Sequence, residues 1–267
     1  MAQLLFGGGT ADGIRAALAE APPHPRRDAL LRLLAGRERQ IDALAAQVAA
    51  TSSDHDASGP TPEQGIARIA GFFDRAVAHS PEASVALYSL GDPAILAAAT
   101  EEIVGWLAER GVLGPDMDVL DLGCGFGRVA AALAPRCRSV LGLDVSAGMV
   151  AEARRRQGGL PNARFAQTGG QDLAALPDAG FDLVLAIDSF PYIVQTGDAV
   201  AARHVADAAR ILRPGGGLAI LNLSYRNDDA LDLQDARRWA GAHGFRLAVA
   251  DPRPFQLWDG SAYVLKR

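Results

Sequence analysis

From residue 117 to the C-terminus, short apolar runs alternate with amphipathic stretches. The apolar runs centre on 119–121, 139–143, 163–166, 181–187, 217–223, 245–250 and 261–265. Between them, 128–133, 147–156, 199–212 and 233–243 have the composition and spacing of helices. Strand alternating with helix predicts an α/β fold with a doubly wound, mostly parallel, Rossmann-like sheet. The common handedness of such units gathers the loops after the strands on one edge. Arg213-Pro214-Gly215-Gly216-Gly217 reads as a turn into a strand. Asp259-Gly260, between 255–258 and 261–265, suits a two-residue hairpin turn and leaves the end of the sheet ambiguous.

The first 116 residues have a different pattern. Residues 11–20 suit a short helix, and Pro22, Pro23 and Pro25 break the chain after it. Asp28 is placed to cap a longer helix reaching about Ala50. Its Leu30, Leu34, Ile41, Leu44 and Val48 fall near a heptad, broken at Arg37. That spacing serves either packing on its own domain or pairing with a second copy or a partner, so a homodimer through this helix is one expectation. Residues 51–60, TSSDHDASGP, read as a polar linker with nothing to bury. Thr61-Pro62-Glu63-Gln64 is a helix start with a capping box, and Ile66, Ile69, Phe72 and Phe73 share one side of that helix. Ser80-Pro81 and Asp92-Pro93 open two more helices, the second stopped by Gly111. The chain therefore divides into a helical extension with linker (1–60), a helical lead-in (61–116) and the α/β domain (117–267).

Composition narrows the use of this architecture. A net charge of −5 leaves no electrostatic footprint for nucleic acid, and no apolar run is long enough for a membrane span. No charged segment precedes a signal-like core at the N-terminus, so the expected location is cytoplasmic. Two cysteines, Cys124 and Cys137, form no C-x-x-C pair and no zinc spacing, so no metal is expected. His204 and His243, within and at the end of predicted helices, are expected to face solvent.

Chemistry concentrates in VLDLGCGFGRVA, residues 119–130. A strand runs into Gly123, Gly125 and Gly127, which let backbone approach a ligand, and then into a helix. A dinucleotide fingerprint needs G-x-G-x-x-G, but Arg128 stands where its third glycine would fall. Asp121 beside the loop would repel a pyrophosphate and attract an ammonium group. A ligand joining a nucleoside to an amino acid suits the loop, and S-adenosylmethionine is one. Asp144 ends the second strand, where a carboxylate accepts from ribose hydroxyls.

DLGCGFGR resembles motif I of the class I S-adenosylmethionine-dependent methyltransferases. The resemblance extends in family order through GLDVSAGM, FDLVLAIDSFPY and LRPGGG. It implies an antiparallel last strand and S-adenosylmethionine as cofactor, with S-adenosylhomocysteine as product. Asp121, Gly123, Cys124 and Gly125 would hold the methionine end, and Asp144 the ribose. Leu143 and Met149 would line the adenine, Val145 would also contact the cofactor, and Gln171 or Asp172 would read the adenine amino group. Asp188 and Ser189 would face the methionine moiety or the methyl group, and Tyr88 would touch cofactor or acceptor from the helical cover. Ser189-Phe190-Pro191-Tyr192 departs from the Asp/Asn-Pro-Pro-Tyr element of adenine-methylating relatives, which argues against that substrate; as a packed loop it would line the cavity.

The expected activity is methyl transfer to a small-molecule acceptor, driven mainly by proximity, with Asp188 or Tyr192 serving as base where one is needed. Two alternatives stay open: methylation of a protein, less so of RNA, recognised by the N-terminal helices, and a cofactor-binding scaffold without turnover.

Overall fold

The computed structural model describes residues 10–39, 41–42, 57–86, 89 and 92–267. Seven strands form one sheet: β1 (Asp118–Leu122), β2 (Ser139–Asp144), β3 (Ala163–Gln167), β4 (Phe181–Ile187), β5 (Leu212–Leu221), β6 (Arg246–Asp251) and β7 (Ala262–Lys266). Their order is β3-β2-β1-β4-β5-β7-β6, with β7 antiparallel to both neighbours. β1 lies between β2 and β4, so chain order reverses there. In an open α/β sheet this switch point forms the ligand crevice.

Alternate residues of the strands serve opposite faces. Val119, Val140, Leu183, Leu185 and Val264 pack against α5 (Pro93–Glu109) and α6 (Arg128–Leu133), through Ile103, Leu107 and Leu133. Leu120, Val184, Ala186, Leu218 and Ile220 pack on the other face against α9 (Asp198–Ile211) and α10 (Asp229–Ala242), through Val205, Ala208 and Trp239. Strands covered on both faces explain the continuous apolar runs in the sequence.

The helical cover consists of α1 (Ala11–Glu20), α2 (Pro25–Leu34), α3 (Pro62–His79) and α4 (Pro81–Val85), followed by α5. Side chains of Thr61, Ser80 and Asp92 cap α3, α4 and α5 by accepting from free N–H groups of the first turn. α7 (Ala147–Gln157) is capped by Ser146, and α8 (Phe190–Thr196) leads into α9. No helix among the described residues is long and apolar enough to cross a membrane.

Several expectations need correction. α2 starts at Pro25 and ends at Leu34, and Gly36 in the left-handed region turns the chain there, so Asp28 caps no long helix. Leu34 and Ile41 are buried with Ile14, Leu18 and Ala83. Pairing through this region would therefore depend on Leu44 and Val48, which lie outside the described residues, as does most of the linker. The linker's end does bury surface: Ala57 is 0% exposed, and its N–H donates to Gln195. β5 begins at Leu212 rather than Gly217, with the Arg213-Pro214-Gly215-Gly216 segment taken up by a register shift against β4. α10 begins four residues before the expected 233, because Asp228 caps it by accepting from Leu231 N.

Asp259-Gly260 is not a hairpin turn, since β6 and β7 pair directly, Asp251 opposite Ala262. The aromatic residues expected to form a strand there are used elsewhere. Phe255 and Trp258 stack at 5.3 Å, and Phe255 meets the edge of Trp106 on α5. Glu102 accepts from the N–H groups of Gln256 and Leu257, fixing this connection to α5.

Candidate functional site

The site is built where β1, β2 and β4 end. The Leu143 carbonyl accepts from both Gly123 N (2.7 Å) and Cys124 N (2.9 Å), folding the glycine loop over β2. Gly123 has φ +76°, and a Cβ there would lie 2.2 Å from that of Ser189, so a larger residue is excluded on two counts. Ser189 in turn donates to the Leu122 carbonyl. The end of β4 is thereby pinned against the loop after β1.

Asp144 closes the same arrangement from β2. Its two oxygens accept from Gly125 N (2.8 Å) and Ser146 N (2.9 Å). Burial raises its pKa, opposed by these backbone donors. A carboxylate oxygen accepts more than one bond, so capacity remains on the side facing the cavity. Ser146 is the helix cap: its Oγ accepts from Met149 N (3.0 Å) and donates to Asp74.

Asp121 is only 2% exposed, and its Oδ2 has no hydrogen-bond partner among the described residues. Burial pushes its pKa up to about 7; Arg128 opposes the rise and Asp144 adds to it. Arg128 itself braces the loop by donating to Thr100 Oγ1 on α5 (2.8 Å). A buried carboxyl oxygen without a donor is costly unless a ligand supplies one.

Asp188 follows β4 with φ +57°, and Asn222 follows β5 with φ +69°. Few residues besides glycine adopt this region, and aspartate and asparagine are among those that tolerate it best. Asn222 Nδ2 donates to Asp188 Oδ1 at 2.7 Å, and Tyr225 OH donates to the same oxygen at 3.0 Å. Burial raises the Asp188 pKa to about 6 despite these two donors. The hydroxyls of Tyr225 and Tyr192 are hydrogen-bonded at 3.3 Å. The Tyr192 ring meets Phe73 and Tyr225 edge to face, both at 5.4 Å between centroids. Burial raises the Tyr192 hydroxyl pKa far above the ordinary tyrosine value, so it remains protonated.

These groups line one cavity of about 1290 Å³. Asp121, Gly123, Cys124, Gly125, Asp144, Val145 and Met149 border it on the β1–β2 side; Asp188, Ser189, Tyr192, Asn222 and Tyr225 border it on the β4–β5 side. α3 closes it with Ile66, Ile69, Phe72 and Phe73, and α4 brings Val85 to Gly125, where a Cβ would approach to 2.8 Å. Leu143 is absent from the lining and belongs to the buried core with Leu120 and Leu122.

Two other expected positions also fall away from it. Gln171 and Asp172 are absent from the lining, which Thr168 and Gly170 provide at that point. Asp172 accepts from Ala174 N, the turn-capping role. Phe190-Pro191-Tyr192 is the first turn of α8 rather than a loop. His204 does not face solvent: it is 2% exposed, with Nδ1 2.9 Å from the Val200 carbonyl, and burial lowers its pKa. Tyr88 lies outside the described residues. Sequence reasoning gave no role to Asn222, nor to Asp74, whose Oδ1 accepts from Ser146 Oγ (2.6 Å) and Gly148 N (2.8 Å) and fixes α3 to α7.

Residues 119–216 match a family described as a methyltransferase domain. A trans-aconitate 2-methyltransferase of Deinococcus radiodurans is 34% identical over 164 residues, 56% of this chain and 59% of the relative. A ubiquinone biosynthesis O-methyltransferase of Pseudomonas aeruginosa is 30% identical over 129 residues, 48% of this chain and 52% of the relative. The chain thus spans little more than half the length of either. Among solved structures, a Haemonchus contortus phosphoethanolamine N-methyltransferase with phosphoethanolamine and S-adenosylhomocysteine aligns at TM-score 0.58 and 15% identity, covering 76% of this chain and 49% of that one.

Proposed function

We propose that this chain, whose residues 119–216 belong to the class I S-adenosylmethionine-dependent methyltransferase family, moves a methyl group from S-adenosylmethionine to a small-molecule acceptor. The observation that carries this reading is the unpartnered, buried Asp121 Oδ2 beside the glycine loop. It suits the ammonium of an amino-acid tail and opposes a diphosphate. The open acceptor capacity of Asp144 suits a ribose diol, and the apolar Val145 and Met149 suit a purine. When bound, S-adenosylmethionine supplies a methyl group already activated by a sulfonium.

The chain's task is therefore chiefly positioning. A cavity of about 1290 Å³ exceeds the ~300–1,000 Å³ typical of one drug-sized ligand, which leaves room for an acceptor beside the cofactor. Aligning two ligands in a site shielded from water lowers a barrier by about 7–11 kcal/mol in favourable cases. Asp188, held by Asn222 and Tyr225, orients the acceptor's polar hydrogen and takes a proton where the acceptor must lose one. Tyr192 stays protonated and acts as a hydrogen-bond donor and wall, not as a base. The test is release of S-adenosylhomocysteine on incubation with S-adenosylmethionine and fractionated metabolite pools. Turnover on a metabolite fraction is expected; turnover on protein fractions alone would contradict the small-molecule reading.

A further inference from the structure

Resting on the methyltransferase reading, we infer that the acceptor is an amine, and that the Asp188 carboxylate receives its N–H. Three features on the β4–β5 side select this class. The first is a fixed anion. Asp188 and Asn222, both in left-handed backbone at the ends of adjacent strands, are locked there by Asp188 N to Leu221 O (2.8 Å) and Asn222 N to Ser261 O (2.7 Å). The main chain is thus fixed at both residues, and the two side-chain donors to the carboxylate both go to Oδ1, which leaves Oδ2 for a ligand.

The second feature is the wall. Phe73, Tyr192 and Tyr225 form a continuous edge-to-face chain beside this carboxylate. Aromatic faces attract organic cations, and more strongly where water is excluded. The third is the sign of the remaining charge. Asp228, Asp229, Asp232 and Asp259 line the same cavity, against two arginines. Arg128 is tied to Thr100, and Arg253 is itself exposed on the 252–261 connection, whose Phe255 and Trp258 are buried. Asp232 is paired with Arg226, which is itself shared with Asp235, and Asp228 caps α10, so the uncompensated charge at this end is that of Asp228, Asp229 and Asp259.

Carboxylate acceptors would meet like charge here. An amine attacks through a neutral lone pair. The amine arrives as an ammonium and first gives one proton to Asp188 and on to water, which frees the lone pair. Transfer then makes the N–C bond with that pair, the electron pair of the broken C–S bond stays on sulfur, and the product leaves as the methylated ammonium.

The probes are benzylamine, benzyl alcohol and benzoate, each titrated by calorimetry into the protein saturated with S-adenosylhomocysteine. Benzylamine is expected to bind at least tenfold more tightly than benzoate, and Asp188→Asn is expected to abolish that preference while S-adenosylhomocysteine still binds. Equal or tighter binding of benzoate or benzyl alcohol, or an unchanged preference in Asp188→Asn, would overturn the inference alone. Failure of S-adenosylhomocysteine to bind the native protein would overturn the methyltransferase reading and the inference with it.

Discussion

Asp121, Asp144 and Asp188 stand near the carboxyl ends of three adjacent strands, yet their surroundings give them different tasks. Asp144 is satisfied by backbone N–H groups and keeps capacity for a neutral diol. Replacing it with alanine removes charge-assisted bonds and is expected to weaken S-adenosylmethionine binding by about 1–3 kcal/mol, read by calorimetry on the folded variant. Asp188 has its pKa raised to about 6, so its carboxylate is protonated as pH falls through that value. The methyl-transfer rate is expected to drop below about pH 6, and the profile of Asp188→Asn to lose that limb. Gly123→Ala would place a methyl group against Ser189 at positive φ, so its melting temperature should fall clearly.

The same scale shows what one sequence makes legible. Asp121, Asp144 and the glycine loop could be read because strand, bend and helix follow within a dozen residues and fix side-chain direction locally. Asp172 could not, since whether it turns to the cavity or caps Ala174 depends on a few torsions. The burial of His204 did leave a signal: Ala201, His204, Val205 and Ala208 recur at helical spacing, and the histidine falls inside that apolar stripe.

At the scale of elements, the parts of the fold differ in how much apolar surface they bury. α1 and α2 share a small core of Ile14, Leu18, Leu34, Ile41 and Ala83, while the sheet is buried on both faces. Small apolar clusters open at lower free energy than a central sheet. Hydrogen exchange is therefore expected to be faster in 11–34 than in β1 and β4. Asp92 both caps α5 and pairs with Arg37 at 3.1 Å, so it links this extension to the domain. Asp92→Ala is expected to cost about 0.5–2 kcal/mol in denaturant unfolding for the cap. Cap signals and the strand–helix alternation were legible because they depend on local chemistry. The last connection was not: Phe255 and Trp258 have strand-like composition, and only the presence of Trp106 across the fold makes them packing residues.

For the whole molecule, buried carboxyls link folding, protons and cofactor. Asp121, raised to about 7, and Asp188, raised to about 6, hold protons to higher pH than the unfolded chain, whose carboxyls titrate near 3.8. The folded state therefore binds more protons in that window, and these two groups cost stability as pH rises from about 4 to 7. A cationic ligand tail beside Asp121 reverses the cost by favouring its ionised form, so binding near neutral pH should release a proton. The most direct measurement is calorimetric titration of S-adenosylmethionine near pH 7 in buffers of different ionisation enthalpy, with native protein and Asp121→Asn. Saturable binding with proton release, and loss of that release in Asp121→Asn, is the predicted result; no binding, or the same proton exchange in both proteins, would contradict it.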